Sequence, residues 1–250
     1  MSLTKTRGVV IRATNLKEAD RILEIYSDDL GKIRAVARGV RKIQSKLAGH
    51  LEPFTYVDLM LAKGRGDLPT ITGAKAISHF SGIRKDVERV ASASYLAELV
   101  SKLNPDGQAS RRFPELLRGS LEALDNGHEP VGVVAYFEWR ALTAAGWQPE
   151  LQHCVNCYQK LYPQGLTFSL AAGGVYCKQC THLDAEAFTV TPEAIKLLRC
   201  YTDRTFDEAE GVMVGKNVRA ETNRLVDQVV RYTLDRAPKS KAFLAHLGAM

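Results

Sequence analysis

Gly31-Lys32-Ile33-Arg34-Ala35-Val36-Ala37-Arg38 alternates apolar and charged residues with a period of two. Successive side chains of a strand point to opposite faces. Ile33, Ala35 and Ala37 therefore fall on one face and Lys32, Arg34 and Arg38 on the other, with Val36 the exception on the charged side. The stretch reads as a strand over Lys32–Arg38 with a core face and a cationic face. A rise of roughly 3.3 Å per residue places alternate cations about 7 Å apart, close to the phosphate repeat of an extended single strand. Outward from this strand, Val9–Ala13, Arg21–Ser27, Thr55–Lys63 and Thr70–Ile77 are also short and rich in β-branched or aliphatic residues. Asp28-Asp29-Leu30-Gly31 and Gly64-Arg65-Gly66-Asp67 separate them as turns. The Arg65-Gly66-Asp67 triplet resembles an adhesion motif but reads better as a hairpin turn. Five short strands in 80 residues suit a small barrel. An OB-type barrel is the first reading and an SH3-like barrel the alternative.

From Gly82 the period changes. Ile83, Val87, Val90, Ala91, Ser94 and Ala97 recur at three and four, as on an amphipathic helix. Leu116, Leu117, Ser120, Leu121 and Leu124 predict a second helix, and Val131, Val134, Ala135, Ala141, Leu142 and Ala145 a third, opened by Pro130. Gly127 and Gly146 are their stops. Thr191-Pro192-Glu193 opens another helix reaching about Tyr201, and Val218, Thr222, Leu225, Val229 and Tyr232 mark a long one after it. The expected class is α+β and multidomain. An OB-type barrel over residues 1–80 precedes a helical domain over 81–250, which carries a metal-binding insertion at 151–183.

Charge is unevenly spread along the 250 residues. Residues 1–80 hold 14 Lys and Arg against 8 Asp and Glu, whereas 81–250 hold 20 of each, so the whole net charge of +6 lies in the first part. Between Gly31 and Leu51 stand Lys32, Arg34, Arg38, Arg41, Lys42 and Lys46 with no acidic residue among them. A solvated strand face is the plain alternative. Like charges this dense repel one another, however, and a polyanion would relieve that cost. The segment is accordingly the candidate nucleic-acid site. Tyr26, Tyr56 and Phe80 are candidates for base stacking, although each reads first as a core or barrel-rim residue, and Phe54 reads as core.

Cys154-x2-Cys157 and Cys177-x2-Cys180 are separated by 19 residues. This is the spacing of a tetrahedral zinc site. Gly165, Gly173 and Gly174 supply turns in the connecting loop. Redox CxxC pairs open a helix in a thioredoxin-like unit, which is not visible here. Deaminase zinc needs an H-x-E with P-C-x-x-C, and neither occurs. Four thiolates leave no open position, so one structural Zn2+ is expected, with His153 and His182 as bystanders. Cys200, beside Leu197 and Leu198, reads as a small buried hydrophobe. No phosphate-binding loop, nucleophile elbow, H-E-x-x-H or dinucleotide fingerprint occurs. The expectation is a binding protein without covalent chemistry. No run of 18 apolar residues suggests a membrane span, and the first residues do not resemble a secretory segment. With paired cysteines suited to metal, a cytoplasmic protein is expected.

Glu18-Ala19-Asp20-Arg21-Ile22-Leu23, Gly31-Lys32-Ile33-Arg34, Ala37-Arg38-Gly39-Val40-Arg41-Lys42, Ser45-Lys46-Leu47 and Leu51-Glu52-Pro53-Phe54 resemble the bacterial RecO family of recombination mediators. The resemblance is specific in the first 80 residues. Beyond them, a helical region with paired CxxC units is similar to the family's layout. Some members lack the cysteines. The resemblance implies an OB-fold, a helical domain and a zinc element. It further implies binding of single- and double-stranded DNA and annealing of complementary strands. With RecR, such proteins help load RecA onto strands coated by the single-stranded DNA-binding protein, SSB. The family's basic segment falls on Lys32, Arg34, Arg38, Arg41, Lys42 and Lys46. A zinc-stapled protein-interaction adaptor with incidental DNA binding is the alternative of a different class, and a nuclease is a third.

Overall fold

The computed structural model describes residues 3–63, 66–104, 112–234 and 238–246. Gly64 and Arg65, half of the second expected turn, lie outside them. Five strands open the chain: β1 (Leu3–Leu16), β2 (Asp20–Ser27), β3 (Gly31–Ala37), β4 (Tyr56–Ala62) and β5 (Thr70–Ser78). They close into a barrel in the order β1-β2-β3-β5-β4. β1 is much longer than Val9–Ala13 because it serves two neighbours. Its first half pairs with β4, from Leu3↔Ala62 to Val9↔Tyr56, and its second half pairs with β2, from Gly8↔Ser27 to Leu16↔Asp20. A register shift between Val10 and Arg12 bends the strand from one neighbour to the other. Gly8 lies in the overlap, where a Cβ would stand 2.5 Å from the Tyr26 carbonyl oxygen. The circuit closes through one parallel bridge, Val36↔Thr70, beside a bond from the Val36 N–H to the Pro69 oxygen (2.9 Å).

The period-two pattern fills the interior. Leu23 and Ile25 of β2, Ala35 and Ala37 of β3, and Val57, Leu59 and Leu61 of β4 share one core with Val10 and Ile71. Val40 and Leu51, from the segment joining β3 to β4, are buried in the same core. That segment also carries a 3-10 turn, Ala48–His50.

The chain divides into two compact units, Met1–Pro130 with Pro238–Ala249, and Val131–Ala237. The helical region expected from residue 81 is therefore shared between them. In the first unit, α1 (Val87–Leu103) and α2 (Arg112–Asp125) join the barrel. The buried Tyr26 hydroxyl accepts a hydrogen bond from the Asn104 amide, and its ring meets Phe113 edge-on at 6.4 Å. The first helix begins later than Gly82, because Asp86 caps it by accepting from the Glu88 N–H (2.8 Å). Gly127, at φ +99°, follows α2, and the Arg89 guanidinium donates to the carbonyl oxygens of Leu124 in that helix and of Gly127 and His128 just beyond it.

The second unit comprises α3 (Pro130–Ala144), which begins at its boundary residue, a small sheet of β6 (Thr167–Ser169), β7 (Gly174–Tyr176) and β8 (Phe188–Thr189) in the order β7-β6-β8, α4 (Pro192–Asp203), α5 (Phe206–Glu210) and α6 (Lys216–Thr233). Thr191 caps α4 as the Thr-Pro-Glu pattern implies. The α5 helix, absent from the sequence reading, has a full capping box between Thr205 and Glu208. A last helix, α7 (Lys239–His246), also unanticipated, belongs to the first unit.

Candidate nucleic-acid interface and metal centre

The strand alternation holds: Ala35 and Ala37 are buried in the barrel while Arg34 is exposed. The cationic face is less uniform than the pattern implies. Lys32 is half-buried, and its Nζ donates to the carbonyl oxygen and hydroxyl of Ser101 at the end of α1 (3.1 and 3.2 Å). It holds a helix to the barrel. Arg34 stands in register with Glu24 of β2, and Glu24 in turn with Arg12 of β1. One acid thus sits between two arginines on the outer sheet face. β3 ends at Ala37, so Arg38 lies past it and the strand's charged face carries Lys32 and Arg34 alone of the three.

Past β3 the arrangement changes. Gly39 adopts φ +63°, a left-handed turn that carries the chain off the sheet. Its N–H donates to Asp20 Oδ1 (2.7 Å), and the Arg41 N–H donates to the Ala19 oxygen (3.0 Å). Two bonds within the loop, Lys42 N–H to Gly39 O (3.1 Å) and Ser45 N–H to Lys42 O (2.9 Å), give it a defined shape. Arg38, Arg41, Lys42 and Lys46 are all exposed on it. The Arg41 guanidinium donates to the Lys17 carbonyl oxygen (3.2 Å). The side chains of Arg38, Lys42 and Lys46 make no hydrogen bond or ion pair among the described residues. Lys17, exposed at the β1–β2 turn, joins this patch. It was missed because only folding brings residue 17 next to residue 41.

None of the expected stacking aromatics is available. Tyr26 and Phe80 are buried, and Tyr56 is buried with its hydroxyl donated to Asp28 Oδ2 (2.7 Å) and the Arg118 guanidinium 5.4 Å over its ring. Burial, then the bond to Asp28, pushes the Tyr56 phenol above its ordinary range. Phe54, expected in the core, is only half-buried, at φ +62°.

In the second unit, folding brings together the four cysteines singled out by spacing. The Sγ atoms of Cys154, Cys157, Cys177 and Cys180 all lie within 4.8 Å of one another and can hold a metal ion. Residues 152–161 form a hairpin, with Leu161 N–H bonded to Gln152 O (3.0 Å) and Cys154 N–H to Gln159 O (2.8 Å). The second pair lies in the turn after β7, where Cys180 N–H bonds to Cys177 O (2.9 Å). Gly165 and Gly173 have positive φ, as turns require, but Gly174 serves otherwise. It lies in β7, and a Cβ there would stand 2.5 Å from Glu150 O and 2.7 Å from Val155 Cγ1.

Further donors face the sulfurs. The Cys177 N–H points at Cys154 Sγ (3.4 Å) and the Asn156 side-chain amide at Cys180 Sγ (3.5 Å). Burial pushes the Cys154 thiol up, but N–H groups of Cys157, Cys177 and Asn156 outweigh it and bring it down to about 6. Cys180 moves the other way, to about 11. The Asn156 amide lowers it, but burial and the neighbouring thiols Cys177, Cys154 and Cys157 prevail. Such crowding is what a bound cation would relieve. His153 and His182 lie outside the cluster. Cys200, expected to be buried, is half-buried on α4.

The family descriptions "Recombination protein O N terminal" and "Recombination protein O C terminal" match residues 1–80 and 84–242. The chain belongs to the RecO family. A protein named DNA repair protein RecO from Dehalococcoides mccartyi strain CBDB1 is 35% identical over 243 residues, covering 97% of this chain and 95% of its own length. The RecO of Roseiflexus sp. strain RS-1 is 36% identical over 240 residues, 96% of this chain and 84% of its own. That of Bifidobacterium adolescentis is 35% identical over 252 residues, 98% and 100% respectively. The Glu18–Leu23 stretch that carries the family resemblance has a structural use in this chain. Asp20 holds Gly39, and Arg21 pairs with Glu52 at 3.1 Å, so the start of β2 fastens both ends of the basic loop. Among the described residues no helix is long and apolar enough to cross a membrane.

Proposed function

We propose that this RecO-family protein acts in DNA repair and recombination by binding single- and double-stranded DNA and annealing complementary strands. With RecR, it would help load RecA onto SSB-coated single strands. The observation that carries the reading is the exposed loop bearing Arg38, Arg41, Lys42 and Lys46, with Arg34 beside it on the strand and no acid in the segment. Such a surface neutralises phosphates without reading bases. Two strands lying on neutralised surfaces repel each other less, so complementary bases can meet without bond chemistry. The strand order β1-β2-β3-β5-β4, closed by β4 on β1, fits an OB-type barrel. The protein would act in the cytoplasm, on the nucleoid, and not as an enzyme.

The four cysteines would hold one structural Zn2+. A tetrahedral ion with Zn–S near 2.3 Å sets sulfurs about 3.8 Å apart, and Cys157 Sγ lies 3.8 Å from Cys177 Sγ. A disulfide would need about 2.05 Å. With four thiolates no position stays open for substrate, so the ion's part is to organise residues 151–183. The deciding experiment is salt-titrated binding and annealing of single-stranded DNA by the full chain, with and without SSB. Affinity that falls steeply with salt, together with annealing, supports the reading. A flat salt response, or magnesium-dependent cleavage of the strand, would overturn it.

A further inference from the structure

Residues 151–183 contain no Asp or Glu, two lysines and three tyrosines. Two of those rings, Tyr158 and Tyr162, are 79% and 73% exposed. Neither side chain has a hydrogen-bond or ring partner among the described residues. Tyr158 lies in the hairpin that carries the first cysteine pair and Tyr162 directly follows it, with Lys160 between them in the chain, opposite His153. Lys160 stands at the bridge that closes this hairpin, and Tyr162 follows two residues on. The nearest acids are occupied. Glu150 accepts from the N–H groups of Gln152 and His153, and Asp184 accepts from the Ser169 hydroxyl.

Tyr158 carries a second signal. It follows Cys157 and closes the knuckle by donating its N–H to Cys154 O (2.9 Å), which sets its φ at +59°. Glycine suits that conformation, and bulky residues rarely adopt it. A tyrosine held there, with its ring in water, adds nothing to the core and strains the turn. Backbone strain retained under an exposed side chain points to use of the side chain.

We propose that Tyr158, Lys160 and Tyr162 form a second nucleic-acid contact, in which the rings stack on unpaired bases and the lysine meets a phosphate. This rests on the DNA-binding reading above and adds what the basic loop does not supply, a preference for single strands. Base faces are free to stack only where the strand is unpaired. In a duplex they are covered by their neighbours. A divalent metal held by four thiolates would leave two negative charges, which the Cys177 N–H and the Asn156 amide facing the sulfurs and the two lysines of residues 151–183 would offset. The contact is therefore a stacking one with a small ionic part.

The test uses the zinc-loaded full chain with a single-stranded oligonucleotide and a duplex of the same sequence. Tyr158→Gly removes the ring and relieves the backbone, so zinc content and melting temperature should hold. Tyr162→Ala makes no backbone demand and carries the test should Tyr158→Gly disturb the knuckle. Each variant is expected to bind the single strand about tenfold more weakly, with duplex binding and the salt slope unchanged. Phenylalanine at either position should restore wild-type binding. Unchanged single-strand affinity in both variants overturns the proposal, as does an equal loss on duplex and single strand. If the wild-type chain binds neither form, the DNA-binding reading falls and this contact falls with it.

Discussion

Replacing Arg38, Arg41 and Lys42 with alanine in the full chain should flatten the salt dependence of single-strand binding by a definite amount. Each neutralised phosphate contributes about 0.7 to the log–log slope for a single strand. Arg34, Arg38, Arg41, Lys42 and Lys46 are exposed, and with one phosphate each they give a slope of about −3.5. Affinity then falls about a hundredfold between about 50 and about 200 mM salt. The triple variant keeps two contacts, so its slope should be about −1.4 and its loss over the same range about sevenfold. At about 100 mM salt it should bind about a hundredfold more weakly than wild type, and the two lines should converge toward 1 M. Lys32→Ala is the internal control. Its Nζ is bonded to Ser101, so the slope should stay put, while stability drops by about 1–3 kcal/mol as charge-assisted bonds to α1 are lost. Fluorescence anisotropy of a labelled oligonucleotide reads the slopes and thermal melting reads the control. A triple variant that loses affinity at unchanged slope would refute the assignment. So would a Lys32→Ala variant that flattens the slope as Arg38→Ala does.

Stripping metal with a chelator should release one zinc per chain and open residues 151–183 to protease, since binding free energy on the order of 10 kcal/mol is folding energy in such elements; Cys157→Ser should do the same without chelator. Gly174→Ala should cost about 1–3 kcal/mol in urea unfolding, because the added methyl would stand 2.5 Å from Glu150 O. Acid should loosen α7. Burial raises the Glu98 carboxyl, but the Ser240 hydroxyl and the N–H groups of Ser240 and Lys239 at the start of that helix outweigh it and hold it below the ordinary range. A depressed pKa contributes stability that is complete above the unfolded value, about 4.3, and is lost as pH falls through the lower folded value. Hydrogen exchange in α7 should therefore rise in that acid window, and Glu98→Gln should abolish the step.

Where a pattern is local, the sequence showed the structure. The alternation of β3, the helix starts at Thr191-Pro192 and Pro130, the stops at Gly127 and Gly146 and the paired cysteines each depend on neighbours a few residues away. Contacts made at long range were not legible. The second pairing of β1 depends on β4, more than forty residues on. Docking of α7 depends on Glu98, from 141 residues earlier in the chain. The short α5 is too brief for a period to show. Tyr26 and Tyr56 illustrate the same limit. An aromatic in a strand has two faces to choose from, and only Asn104, Asp28 and Arg118, all remote in sequence, turn these rings inward.

Charge shows the limit most sharply, because a formal count treats every cation alike. Arg21 is spent on Glu52, Lys32 on Ser101 and Arg89 on the end of α2. Arg34 keeps its exposure but faces Glu24 across the sheet. A cation on an inner strand always has cross-strand neighbours, and an acid there weakens the field a distant phosphate feels. The loop after Gly39 escapes this. Once the left-handed turn leaves the sheet, the cations have no cross-strand neighbours, and Asp20 of β2 meets the turn at the Gly39 N–H. The bonds to Asp20 and Ala19 hold the loop by its backbone, and the side chains of Arg38, Lys42 and Lys46 make no hydrogen bond or ion pair among the described residues. The basic strand is marked by its alternation. The uncompensated charge lies one turn further on, where the backbone has its partners and, among the described residues, no carboxylate pairs with Arg38, Arg41, Lys42 or Lys46.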